Sequence, residues 1–103
     1  MVDEKFIAER IAHLRSGMNV SARDMSLSIG QSPNYINTIE NGKSLPSMSV
    51  FLYICEFLKV SPEEFFDEGN PEPTVYKKTA ESLKGLNREQ LELIEGIAKQ
   101  MKK

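Results

Sequence analysis

Cysteine, histidine and tryptophan are scarce in this chain. Of its 103 residues one is cysteine, one is histidine and none is tryptophan. The single Cys55 excludes an internal disulfide framework and a cysteine-based zinc site, and we expect it to pack as a small buried apolar residue. His13 has no second histidine, and no cysteine near it in sequence, with which to bind a metal. We therefore expect no metal and no cofactor.

Long apolar runs are also absent. The longest cover only a few residues, whereas a membrane-spanning helix needs about 20 apolar residues, so we expect no membrane association. The N-terminal Met-Val-Asp-Glu-Lys is acidic and is not followed by the apolar segment of a secretory signal. The chain is therefore expected to be a cytoplasmic globular protein, with length for one domain and an appendage.

The sequence lacks an excess of positive charge as well. It contains 13 Lys and Arg against 15 Asp and Glu, a formal net charge of −2. Residues 1–66 carry six cationic side chains against eight anionic ones, and residues 67–103 carry seven of each. This balance argues against binding nucleic acid through bulk electrostatics. Any DNA binding must come from a few well-placed groups, doubled by dimerisation.

Apolar residues at helical spacing are plentiful, and they predict an all-α chain. Five short helices are expected within residues 1–67, the first four over 4–16, 21–28, 32–40 and 47–58. Gly30 permits the positive φ that a tight turn between two helices requires. Ser32 and Pro33 are predicted to open the third helix, because serine caps well and proline suits the first helical position.

The C-terminal third is predicted to be separate from this domain. Residues 68–74 contain Gly69, Pro71 and Pro73 and are typical of a linker. Residues 75–103 are predicted to form a C-terminal helical extension with helices over 75–84 and 88–101.

A motif covers residues 21–43. Residues 21–30 are SARDMSLSIG, and residues 32–43 are SPNYINTIENGK. With the later segments PS at 46–47 and LKVSPEEFF at 58–66, they resemble the Cro/C1-type (XRE, phage-repressor-like) helix-turn-helix family. The resemblance covers about residues 6–66, and its most specific part is Tyr-Ile-x-x-Ile-Glu-Asn-Gly-Lys. It implies a five-helix, lambda-repressor-like domain that binds double-stranded DNA.

The resemblance also implies which residues contact DNA. In this family the second helix of the motif presents its first residues to base edges in the major groove. The implied base-contacting residues are Pro33, Asn34, Asn37 and Thr38. The implied backbone-contacting residues are Ser21, Arg23, Ser32, Tyr35, Asn41 and Lys43. For Tyr35 the alternative is packing against its own domain. For Asn34, Asn37 and Lys43 the alternative is that they are ordinary solvated surface residues.

Two positions depart from the family pattern, and one pair follows it. Pro33 stands where relatives often have a long polar residue, so it offers a base only van der Waals contact. Ala22 stands where relatives commonly carry a glutamine that contacts a phosphate, and Arg23 beside it is the candidate to compensate. Arg15 and Glu40 match a pair that the family pattern places in an ion pair tying the first helix to the third.

The last predicted helix is amphipathic and is the candidate for dimerisation. The residues expected to pair are Leu91, Ile94, Ile97, Ala98 and Met101. Gly96 costs a helix about 1 kcal/mol relative to alanine, and close approach of a second backbone would explain it. The alternative is that residues 75–101 fold back onto their own domain or form a helical hairpin.

Two hypotheses for function follow. The first is a sequence-specific transcriptional regulator, a repressor of bacterial or phage type, that inserts helix 32–40 into the major groove as a homodimer. The second is a protein-interaction module with the same fold, such as an antitoxin or accessory factor. The net charge, Ala22 and Pro33 favour the second a little, and the surface formed by Asn34, Asn37, Thr38 and Lys43 favours the first more. We do not expect an enzyme, because the sequence offers no nucleophile–base pair or metal set. No effector domain is visible, so no small-molecule ligand is expected.

Overall fold

Seven helices make up the described part of the chain, residues 2–102 of a computed structural model. They are α1 (Glu4–Gly17), α2 (Ala22–Ser28), α3 (Tyr35–Glu40), α4 (Met48–Leu58), α5 (Pro62–Phe65), α6 (Pro73–Ser82) and α7 (Arg88–Met101). Residues 2–102 contain no strand. The predicted all-α class is therefore confirmed.

Side-chain caps fix the start of five of these helices. Asp3, Ser21, Ser47, Ser61 and Asn87 each accept the backbone N–H of the third residue that follows, at 2.9–3.3 Å. Each such bond satisfies a backbone donor that has no partner within the helix and contributes about 1 kcal/mol. These local signals explain why the starts of α1, α2, α4 and α7 lie within a residue of their predicted positions.

The core of the domain joins α1 to α5. Its buried apolar side chains are Ile11, Leu14, Met25, Ile36, Ile39, Phe51, Ile54, Cys55, Leu58, Val60 and Phe65. Phe65 on the short α5 is fully buried and meets the ring of Phe51 edge-on at 5.1 Å between centroids. Ile36 and Ile39 anchor α3 in this core, so the opposite side of α3 is held at the surface.

The start of α3 differs from the prediction. The expected start at Ser32 is wrong, because α3 begins at Tyr35 and Asn34 occupies the cap position without a side-chain cap. Residues 32–35 form a turn closed by the Tyr35 N–H and the Ser32 carbonyl at 3.1 Å. Pro33 lies within this turn and not in the helix. The motif therefore presents a turn followed by six helical residues.

Arg10 holds the segment after α5 against the domain. Its side chain, 6% exposed, donates to the carbonyl oxygens of Glu64, Phe65, Asp67 and Asn70 at 2.8–3.1 Å. Nε donates to the Phe65 carbonyl, and the two N–H groups of Nη2 are shared among the carbonyls of Glu64, Asp67 and Asn70. The first part of the segment predicted as a linker is thus tied to α1.

The extension divides into an attached helix and a projecting one. At the start of α6, Pro73 is buried and the Thr74 hydroxyl donates to the Leu58 carbonyl at 3.0 Å. Within the described chain α7 has no buried residue. The radius of gyration is accordingly 16.4 Å, against about 13 Å for a compact chain of this length. No helix within residues 2–102 is long and apolar enough to cross a membrane.

Candidate nucleic-acid interface

Three polar residues form a linked cluster on the outer side of α3. Asn37 Nδ2 donates to Asn34 Oδ1 at 3.2 Å, and Thr38 Oγ1 donates to the Asn34 carbonyl at 2.9 Å. Asn34 and Asn37 are exposed, and Thr38 is half-buried. These two bonds do not use all of the hydrogen-bonding groups. The second lone pair of Asn34 Oδ1 and the remaining N–H groups of the two amides can still bind a ligand. An amide offering a donor and an acceptor together matches the edge of adenine in the major groove.

Pro33 lies beside this cluster and contributes no polar group. It is exposed in the turn that precedes α3. Since proline has no N–H, it can meet a base only through its ring carbons. Its place in the turn keeps it next to Asn34 at the end of α3 that would enter a groove.

Two exposed cations belong to the motif, one before α3 and one after it in the sequence. Arg23 is in the first turn of α2, and Lys43 follows α3 in the loop to α4. The Lys43 N–H donates to the Thr38 carbonyl at 3.1 Å, which fixes the backbone of this loop against α3. Neither cation forms an ion pair with another residue of the described chain. Both charges are therefore available to phosphates.

Tyr35 is only partly exposed, unlike most of the other predicted DNA contacts. It is half-buried and packs against the core, and burial raises the pKa of its phenol. The backbone N–H of Ser47, the cap of α4, acts in the opposite direction and lowers this pKa. The ring of Tyr35 therefore packs on its own domain.

The remaining predicted backbone contacts surround α3. Ser21 Oγ accepts the Asp24 N–H at 3.0 Å and keeps its own proton for donation. Ser32 begins the turn before α3, and Asn41 follows the last residue of α3. Ser21, Ser32 and Asn41 are exposed. The sequence-predicted DNA contacts thus lie at the start of α2, before and along α3, and in the loop after it.

An ion pair ties the end of α3 to α1. Arg15 Nε and Nη2 donate to the two carboxylate oxygens of Glu40 at 2.7 and 2.9 Å, and Arg15 Nη1 donates to the Val20 carbonyl at 2.8 Å. The two side chains are 18% and 11% exposed, and the hydrogen bond to Glu40 raises the pKa of Arg15. Arg15 therefore joins α1, the loop before α2 and the end of α3, where the resemblance placed this pair.

Sequence reasoning missed the residue that sets the angle between the two motif helices. Ser26 is fully buried; its hydroxyl donates to the Ala22 carbonyl at 2.7 Å and accepts the Ile36 N–H at 2.9 Å. It supplies an acceptor to a backbone donor near the start of α3. No local pattern in the sequence indicates this role, because the partner of Ser26 on α3 is ten positions away. Gly30 completes the turn with a φ of +77°.

The groups considered for other chemistry lie elsewhere or are inert. Cys55 is buried, and burial raises the pKa of its thiol to about 11, so it is not a reactive nucleophile. His13 Nε2 contacts Glu72 at 2.9 Å on the surface. Among residues 2–102 no group of three or more metal-binding side chains could hold an ion.

The dimerisation candidates lie apart from the motif, on α7. Leu91, Ile94, Ile97, Ala98 and Met101 are all exposed. A Cβ added at Gly96 would meet no described atom within 4 Å. Close packing within the chain therefore does not explain this glycine.

The architecture defines an all-α protein whose α2, turn and α3 form a helix-turn-helix, a class of domain that binds DNA. A family model described as a helix-turn-helix domain matches residues 8–70. The chain belongs to this family, of the Cro/C1 (XRE) type. The match ends at Asn70, whose carbonyl is the last that Arg10 binds. Comparison with curated proteins gave no match, and neither did comparison with solved structures.

Proposed function

We propose that this chain is a sequence-specific transcriptional repressor of bacterial type that binds double-stranded DNA as a homodimer. The observation that carries the proposal is the linked cluster of Asn34, Asn37 and Thr38 on the outer side of α3, with the unpaired cations Arg23 before it and Lys43 after it in the sequence. Base edges would be read by the cluster, and phosphates on either side would be held by the cations.

The proposed docking places the turn at residues 32–34 and the first turn of α3 in the major groove. Asn34 and Asn37 then reach base edges, Thr38 offers its methyl group to a thymine, and Pro33 makes apolar contact only. The Ser21 and Ser32 hydroxyls, the Tyr35 hydroxyl and the backbone around Asn41 would position the domain on the sugar-phosphate chain.

Few charges carry this binding, and that has a measurable consequence. With two available motif cations per subunit, a dimer neutralises about four phosphates, so the slope of log affinity against log salt concentration should be about −4. Base contacts must then supply most of the discrimination, at about 1–3 kcal/mol for each bidentate pair.

The experiment is selection of bound duplexes from a random DNA pool at two salt concentrations. We expect a two-fold symmetric consensus with half-sites about 34 Å apart. Asn34→Ala should relax preference at one position of each half-site, whereas Lys43→Ala should weaken all sequences alike and flatten the salt slope by about 2 per dimer. Lys78→Ala removes an exposed lysine on α6 and is the matched control, with an unchanged slope.

Other outcomes would contradict the proposal. If the parent protein enriches no sequence even at low salt, it is not a sequence-specific DNA-binding protein. The protein-interaction hypothesis would then follow, since the formal net charge of −2 favours it. If Asn34→Ala weakens every duplex equally, Asn34 does not read a base.

A further inference from the structure

One face of α7 is apolar along its whole length, and none of its residues is buried within residues 2–102. At about 100° per residue its six apolar side chains fall within an arc of about 160°. They are Leu91, Leu93, Ile94, Ile97, Ala98 and Met101. Leu93, Ile97 and Met101 are 66%, 62% and 80% exposed. An apolar stripe this continuous on a domain of this size marks an interaction site.

The charges of α7 lie on the opposite side of the helix. Three acidic and three basic side chains, at positions 88, 89, 92, 95, 99 and 102, give this segment no net charge. Arg88 pairs with Glu92 at 3.1 Å and Lys99 with Glu95 at 3.7 Å, each within the helix. A helix that neutralises its own charges neither repels a copy of itself nor selects a partner of opposite charge.

We infer that the apolar face of α7 pairs with the α7 of a second copy of this chain. The inference deepens the proposed function and rests on it for one point, that two half-sites on DNA require two copies. Charge neutrality is the independent argument, because identical helices meet without electrostatic cost.

The size of the face limits the strength of this pairing. The six apolar side chains expose on the order of 500 Å² per copy, below the roughly 800 Å² per partner of a standard interface. Val75 and Tyr76 are also exposed, but they lie in the first turn of α6 and do not extend the apolar face of α7. The pairing is therefore a reversible dimer that dissociates on dilution, and DNA holding both copies completes it.

The test is sedimentation equilibrium of the full chain over a range of concentrations, with two variants of α7. Ile94→Glu places a carboxylate within the apolar face and should weaken self-association at least tenfold. Gly96→Glu adds the same side chain two residues away on the charged side, where nothing described lies within 4 Å, and should change association less than threefold. Urea unfolding of the domain should be alike in both, because α7 contributes nothing to the core.

Three results would overturn the inference. In the first, the parent protein stays monomeric at all concentrations and binds a symmetric duplex one copy at a time. The α7 face then has a different partner or no partner. Equal association of the parent and Ile94→Glu places the dimer interface elsewhere. Loss of domain stability in Ile94→Glu means that α7 packs on its own domain. Duplex selection with the parent protein is a separate readout, so the DNA-binding proposal and the α7 pairing can fail independently.

Discussion

Replacing Arg10 with methionine should cost the domain about 3 kcal/mol. Of the four hydrogen bonds that Arg10 donates, only the one to the Phe65 carbonyl is fully buried. Leaving a buried acceptor unsatisfied costs about 1–3 kcal/mol. The carbonyls of Glu64, Asp67 and Asn70 are partly accessible, so water replaces much of what they lose. Burial also lowers the pKa of Arg10, a desolvation cost that methionine avoids. The net loss of stability is therefore well below the summed free energy of four charged hydrogen bonds.

Urea unfolding followed by circular dichroism measures this loss directly. For a domain of this size 3 kcal/mol corresponds to a fall in Tm of about 15 °C. Limited proteolysis should in addition cut the variant faster at residues 67–72, which lose their anchor. Lys5→Met is the matched control, because Lys5 is 82% exposed in its pair with Glu9 and should contribute under about 0.5 kcal/mol. A loss no larger than that of the control would refute the assigned role of Arg10.

Three further predictions concern other contacts. Arg15→Met should cost about 2–4 kcal/mol because it strands Glu40, and Arg15→Met combined with Glu40→Leu should cost less than the two single losses together, as measured by a double-mutant cycle. The hydrogen bond from the Ser61 N–H lowers the pKa of Glu64, so its stabilisation is present above about pH 4.3 and is lost as pH falls through the lower folded pKa; Glu64→Gln should show a smaller loss of urea midpoint between pH 7 and pH 3, and an equal loss would contradict this. Gly96→Ala should raise the helicity of α7 by circular dichroism, with a gain of about 1 kcal/mol in helix propensity, and an unchanged helicity would contradict the placement of Gly96 on the open, charged side of α7.

The positions of most helices could be predicted, because their signals are local, whereas the DNA-contacting residues stay a prediction from the family resemblance. Caps such as Ser21 and Asn87 act on residues three positions away, and helical spacing identified the buried faces. The predicted start of α3 was wrong for a related reason. Ser32 and Pro33 match the local pattern of a helix start, but the chain forms one more turn before the helix begins.

Long-range polar contacts could not be predicted. Arg10 meets its acceptors 54–60 positions later in the chain, and no spacing rule identifies a cation that will be buried against carbonyl groups. Ser26 is similar, since its role depends on the packing of α2 against α3. The Arg15–Glu40 pair came from family resemblance and not from the pattern of residues.

The exposure of α7 couples its folding to the amount of protein present. A helix of 14 residues with no buried residue is only marginally stable in water, even with a good cap. If α7 gains its stability by pairing, dilute protein carries a fraying tail and concentrated protein carries an ordered one. Occupancy of a two-half-site operator then rises with the square of the free monomer concentration at low occupancy. A cell that makes this protein would obtain a threshold response to its copy number without any small-molecule signal.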